Sequence, residues 1–126
     1  MKKATATSKA PTAIGTYSQA ICSQETIYIS GQIPLNPHSM EIVAGDISEQ
    51  INQLLDNLTA ILEASGSSID KVLKFTVFLT DLDNFEQVNK IMAQILTEPY
   101  PARAVVEVSA LPKGAKVEID AIASLT

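Results

Sequence analysis

Apolar residues recur in two rhythms along this 126-residue chain. Between Thr26 and Ile33 they alternate: Ile27, Ile29 and Ile33 share one side with Gly31, while Tyr28, Ser30 and Gln32 take the other. A two-residue period is that of a strand. Tyr17 to Cys22 reads as a partner strand, joined to it through the polar turn Ser23-Gln24-Glu25. Pro34, Asn36, Pro37 and His38 then mark a loop. After Asp46 the rhythm changes: Ile47, Ile51, Leu54, Leu55, Leu58, Ile61 and Leu62 recur at helical spacing. Asp46 and Glu49 form a capping box at its start, and Gly66 is placed to end it. Alternation returns from Val72 to Thr80, with Leu73, Phe75, Val77 and Leu79 predicted inward and Lys74, Thr76 and Thr80 outward. A second helix follows, capped by the Asp83 and Glu86 signal, with Phe85, Val88, Ile91, Met92, Ile95 and Leu96 as its apolar stripe. Pro99 and Pro101 stop it.

Two further strand-like stretches lie between Pro101 and Ala123, joined by a tight loop. Along the first, Ala104, Val106 and Val108 share a face, leaving Arg103, Val105 and Glu107 opposite. Along the second, Val117, Ile119 and Ala121 oppose Lys116, Glu118, Asp120 and Ile122. Paired as a hairpin, these strands set Arg103 and Glu118 on one surface. The predicted order is β-β-α-β-α-β-β, an α+β fold with both helices on one face of the sheet. The other face would carry Tyr28, Val72, Phe78, Val105 and Ile122 among Ser30, Lys74, Thr76, Arg103 and Glu118. That mixture is too apolar for open water and too polar for a monomer's core, so another subunit is expected to cover it. A charge buried at such a seam is costly unless paired, so Arg103 needs a partner there, from protein or ligand.

Length and composition narrow the classes. The 126 residues are read as one domain, with the polar residues 1–9 expected to be poorly ordered. A formal net charge of −5 with scattered lysines argues against nucleic acid as the main partner, because phosphate binding needs a concentrated basic surface. Cys22 is the only cysteine, which points to a reducing, cytoplasmic setting without an intrachain disulfide. The basic start lacks the apolar segment of a secretory signal, and no apolar run is long enough to cross a bilayer. No metal site is expected: His38 is the single histidine and has no companion ligands.

Arg103 and Glu118 are the pair with chemistry in it. A guanidinium fork can grip a carboxylate at two points, and a nearby acid/base can manage protons at a small imine. The structural alternative is a cross-strand ion pair, contributing a few tenths to about 1 kcal/mol to the sheet. Spacing alone favours that alternative.

Four stretches shift the balance: Ala10-Pro-Thr-Ala-Ile-Gly-Thr-Tyr-Ser-Gln-Ala20, Ser30-Gly-Gln-Ile-Pro-Leu-Asn-Pro37, Lys74 through Phe85 with Val88-Asn89, and Pro101 to Ala123. In this order, over nearly the whole chain, they resemble the RidA (YjgF-type) family of enamine/imine deaminases. The resemblance implies a chorismate-mutase-like fold and a homotrimer with sites at the subunit interfaces. It implies a cofactor-free catalyst that hydrolyses 2-aminoacrylate and related imino acids to 2-oxo acids and ammonia. By the same resemblance Arg103 grips the substrate carboxylate, Glu118 orients or activates water, and Tyr17 closes the pocket. Ser30 and Gly31 line the pocket, Asn89 lies in a family motif and counts with the substrate-binding residues, and position 105 contributes a backbone N–H. The chain departs from the pattern at Val105, where many members have Cys, and its connector Glu98-Pro-Tyr-Pro101 is shorter than in some relatives.

Two other readings remain open at this level. One is a binding or regulatory module that holds a 2-oxo acid without turnover. The other is a ribonuclease or translation inhibitor, an activity also ascribed to the family, against which the acidic charge counts.

Overall fold

A computed structural model gives the structure of all 126 residues. Six strands and two helices follow one another as β1 (Lys2–Thr5), β2 (Ala20–Ser23), β3 (Thr26–Gln32), α1 (Ile47–Ala64), β4 (Val72–Leu79), α2 (Phe85–Ile95), β5 (Ala102–Glu107) and β6 (Val117–Ser124). The sheet order is β1-β2-β3-β6-β4-β5, with β4 and β5 parallel and every other pair antiparallel. The connections β3-α1-β4 and β4-α2-β5 both join parallel strands and both step the same way across the sheet. Crossovers of one hand taken in one direction place their helices on the same face. The α+β reading with two helices on one face of a mixed sheet is therefore correct.

The core lies between that face and the helices. Ile51, Leu54, Leu58, Ile61 and Leu62 of α1 and Val88, Ile91 and Met92 of α2 meet Ile27, Ile29, Phe75, Val77, Leu79, Val117, Ile119 and Ala121 in one buried cluster. Each large side chain buried there contributes roughly 1.5–3 kcal/mol over its exposed state. Helix α1 begins where expected: Glu49 N donates to Asp46 Oδ1 at 3.1 Å. It ends before Gly66, whose φ of 87° is the left-handed conformation that glycine adopts without penalty. No helix is long and apolar enough to cross a membrane.

Several expectations need correction. The polar start does not stay loose: Lys2–Thr5 pairs with β2, because β2 would otherwise leave an unpaired edge. The strand predicted from Tyr17 begins only at Ala20, since buried Gln19 turns inward to bind the backbone of residues 7–11. A bulge between Val72 and Lys74 shifts the start of β4, so Val72 is buried and Leu73 is 53 % exposed, the reverse of the alternation. Asp83 does not cap α2. Instead Asp81 Oδ1 accepts from Asp83 N at 2.9 Å, and Glu107 Oε1 accepts from Leu82 N at 3.0 Å. Most important, β5 and β6 do not form a hairpin. Strand β4 lies between them, paired parallel to one and antiparallel to the other.

Candidate active site

The two halves of the predicted site take form separately. Glu118 stands on the helix-free face of β6, opposite Phe78 of β4, while its neighbours Val117 and Ile119 point into the core. Beside it, β3 carries one extra residue between Ile29 and Gln32. This bulge ends the alternation that placed Gly31 with the inward isoleucines. Gln32 becomes buried instead, and Gly31 comes against Glu118. A β-carbon at position 31 would lie 3.0 Å from Glu118 Cδ and closer still to Oε2, so only glycine allows this carboxylate its place. Ser30 is held by two bonds to the preceding loop: its N donates to Gln19 O at 3.0 Å and its Oγ to Ser18 O at 2.6 Å.

Tyr17 arrives from that loop rather than from a strand. Gln19 fixes the loop: its Nε2 donates to Pro11 O at 2.8 Å and Thr7 O at 3.0 Å, and its Oε1 accepts from Thr7 N at 2.7 Å. Tyr17 Oη accepts from Ile14 N at 3.4 Å, and the ring stays 50 % exposed over the opening. Tyr17, Ser30, Gly31 and Glu118 thus line one cavity of about 370 Å³, with Met40, Pro112 and Lys113 also in its wall. Lys113 has φ 58°, an uncommon conformation for a residue with a side chain, and its Nζ donates to Met40 O at 3.1 Å. The Glu118 carboxyl is pushed above the usual carboxylate range, first by burial and second by the negative charge of Asp120 on the same face. A carboxyl raised in this way holds its proton more readily than a free one and is the candidate proton carrier of the cavity.

Arg103 lies elsewhere. Its register partner is Phe75, and Val105 pairs with Val77; both partners are buried beneath the helices. Arg103 and Val105 therefore face α2, on the opposite side of the sheet from Glu118. The expectation that Arg103 and Val105 share Glu118's surface is wrong, because the parallel pairing of β5 with β4 sets their direction. Tyr28, Phe78 and Ile122 do lie on the helix-free face with Ser30, Lys74, Thr76 and Glu118, as expected; Val72, Val105 and Arg103 do not. Arg103 opens on a second cavity of about 410 Å³, lined by Phe75, Asn89, Met92, Leu96, Tyr100 and Pro101. Val105 is half-buried and packs against the core at this margin. Strand β5 is the outer strand of the sheet, so part of its backbone is free for a ligand or another chain.

The predicted residues thus fall into two groups: Tyr17, Ser30, Gly31 and Glu118 on one face, and Arg103, Asn89 and Val105 on the other. No three His, Cys, Asp or Glu side chains converge in a way that could hold a metal ion.

A family model described as endoribonuclease L-PSP matches residues 7–125. The chain belongs to this family, which is that of the RidA and YjgF proteins. It is 46 % identical to human 2-iminobutanoate/2-iminopropanoate deaminase over 98 % of this chain and 90 % of that one. The crystal structure of RidA from an Antarctic Psychrobacter superposes with a TM-score of 0.93 at 48 % identity, covering 97 % of this chain and 98 % of that one. The structure of TdcF from E. coli with bound serine superposes with a TM-score of 0.92 at 40 % identity, covering 98 % and 99 %.

Within this member of the family, four residues that line or support the candidate site residues carry roles that spacing does not display. Lys113 lies in the loop between the last two strands, and its positive φ is set by the turn at Pro112–Gly114. Gln19 carried no signal, because a glutamine that organises backbone is spelled like one in solvent. Asp120 was placed on the correct face but not credited with an effect on Glu118. Phe85 was assigned to the core stripe of α2, whereas its ring lies beneath the Arg103 guanidinium.

Proposed function

We propose that this protein hydrolyses reactive enamines and imines of 2-imino acids, such as 2-aminoacrylate, to 2-oxo acids and ammonia. The observation that carries the reading is the Glu118 cavity: a carboxyl of raised pKa beside Ser30, Gly31 and Tyr17, in a chain 46 % identical to an imine deaminase.

The two faces would be joined by assembly. A neighbouring protomer in a homotrimer sets its Arg103, Asn89 and β5 edge against the Tyr17–Ser30–Gly31–Glu118 cavity, and each subunit seam then holds one complete site. The semi-apolar helix-free face, with Tyr28 half exposed and Phe78 and Ile122 partly so, supports such a covering contact.

In that site Arg103 takes the substrate carboxylate through two parallel N–H donors, a fork that lysine lacks. The enamine gains a proton at its terminal carbon and becomes the iminium. Glu118 accepts a proton from water as the water oxygen bonds to the iminium carbon, giving a neutral carbinolamine. Glu118 returns that proton to nitrogen, and as the C–N bond breaks and ammonia leaves, the hydroxyl proton passes to the Glu118 carboxylate and the C=O bond forms. A raised pKa suits a group that must both take and give a proton, an effect worth about two to four powers of ten.

The test is ammonia release from imines generated in place from several amino acids. Wild type should accelerate it, and Arg103→Ala and Glu118→Gln should each lose about 100-fold or more. Full activity in Arg103→Ala would end the site assignment. Tight 2-oxobutyrate binding with no acceleration in wild type would leave a binding module in place of an enzyme.

A further inference from the structure

Arg103 is restrained without being neutralised. Its Cζ lies over the Phe85 ring, 5.3 Å from the centroid, and Nη1 reaches Met92 Sδ at 4.0 Å. Both contacts are soft. An aromatic face attracts a cation through its quadrupole and accepts no conventional hydrogen bond, and a thioether is a weak acceptor. A carboxylate in their place would occupy the in-plane N–H donors and cancel the charge.

Phe85 is well placed for such a task and poorly placed for a purely structural one. It is the first residue of α2, is 37 % exposed, and lies outside the buried cluster that its stripe-mates Val88, Ile91 and Met92 join. We infer that Phe85 is a positioning residue: its ring supports the Arg103 guanidinium from one side and keeps the fork extended and free toward a carboxylate ligand. The inference rests on the reading of Arg103 as the carboxylate fork. It adds that the fork's affinity is set by an aromatic group on a different element, α2.

Phe85→Leu keeps an apolar side chain and removes the ring; Phe85→Trp keeps a face of stronger quadrupole. Calorimetry with 2-oxobutyrate as the probe should show binding weakened about fivefold in Phe85→Leu and restored in Phe85→Trp, as expected for an exposed to partly desolvated cation–π contact. Thermal midpoints of the two variants should match wild type. In the deamination assay the Leu variant should raise KM and leave kcat unchanged, because the carboxylate is held equally in ground and transition states. In an Arg103→Ala background, Phe85→Leu should cause no further loss. Binding unchanged in Phe85→Leu, or a loss that adds fully to that of Arg103→Ala, overturns the role of Phe85 while Arg103 keeps its own. Undiminished binding in Arg103→Ala alone overturns instead the fork on which the inference stands.

Discussion

Glu118 owes its character to burial and to two neighbours, each of which can be changed singly. Asp120 raises its pKa by repulsion, so Asp120→Asn should lower it and move the Glu118 limb of the pH–rate profile to lower pH. A limb that stays in place would mean that another group sets the profile. Gly31 gives the carboxylate room, so Gly31→Ala should displace it and cost about tenfold or more in kcat/KM. The thermal midpoint should move little, since the far end of a glutamate can yield. Burial acts on stability as well. The raised pKa belongs to the folded state, so Glu118 contributes full stability below its unfolded value of 4.5 and loses it as pH rises through the folded value. Glu118→Gln should therefore unfold at a higher urea concentration than wild type at neutral pH, and at an equal one near pH 3. Equal midpoints at both would show that Glu118 ionises freely in the folded chain. Which residues could do chemistry was legible at this scale, because Arg, Glu and Tyr in those local contexts are few. Their environment was legible only in part: Asp120 shares a strand face with Glu118 by simple alternation, whereas Gly31 acts through a contact across strands that no spacing displays.

At the scale of elements, two irregularities shape the Glu118 cavity. The extra residue in β3 turns Gly31 toward Glu118, and the Gln19 side chain ties residues 7–11 to the chain just before β2. Gln19 serves at least three backbone groups in a buried place, and its loss leaves them without partners. Gln19→Ala should cost about 2–3 kcal/mol of stability by urea denaturation, and Tyr17, whose loop it holds, should lose order with it. A cost below about 0.5 kcal/mol would mean that water replaces the amide. The helices were readable to within a residue or two, since their apolar stripes are long and Asp46 and Gly66 mark the ends of α1. Both bulges were invisible. A bulge breaks the two-residue period locally, and composition alone does not tell a bulge from a strand end. Gly31 and Leu73 were accordingly placed on the wrong faces.

For the whole molecule, the proposed site would be a divided one. Arg103 and Glu118 lie on opposite sides of one sheet, so no single chain can close them around one small substrate. Arg103→Ala and Glu118→Gln proteins should each be inactive alone. Mixed by unfolding and refolding together, they should regain about a quarter of wild-type activity, because random cyclic assembly pairs an intact Arg103 with an intact Glu118 at that frequency. No recovery in a mixed assembly would mean that the site does not form between protomers. The chain by itself determined its helices, its class of fold, the apolar side of most strands and the residues able to grip a carboxylate and move a proton. Those depend on local periodicity and on side-chain chemistry, which sequence displays directly. Tertiary structure alone decided that β4 separates β5 from β6, and so on which side of the sheet Arg103 lies. Strand order is set by long-range pairing and by the shared direction of two crossovers. Two segments adjacent in sequence carry no mark of the third that comes between them.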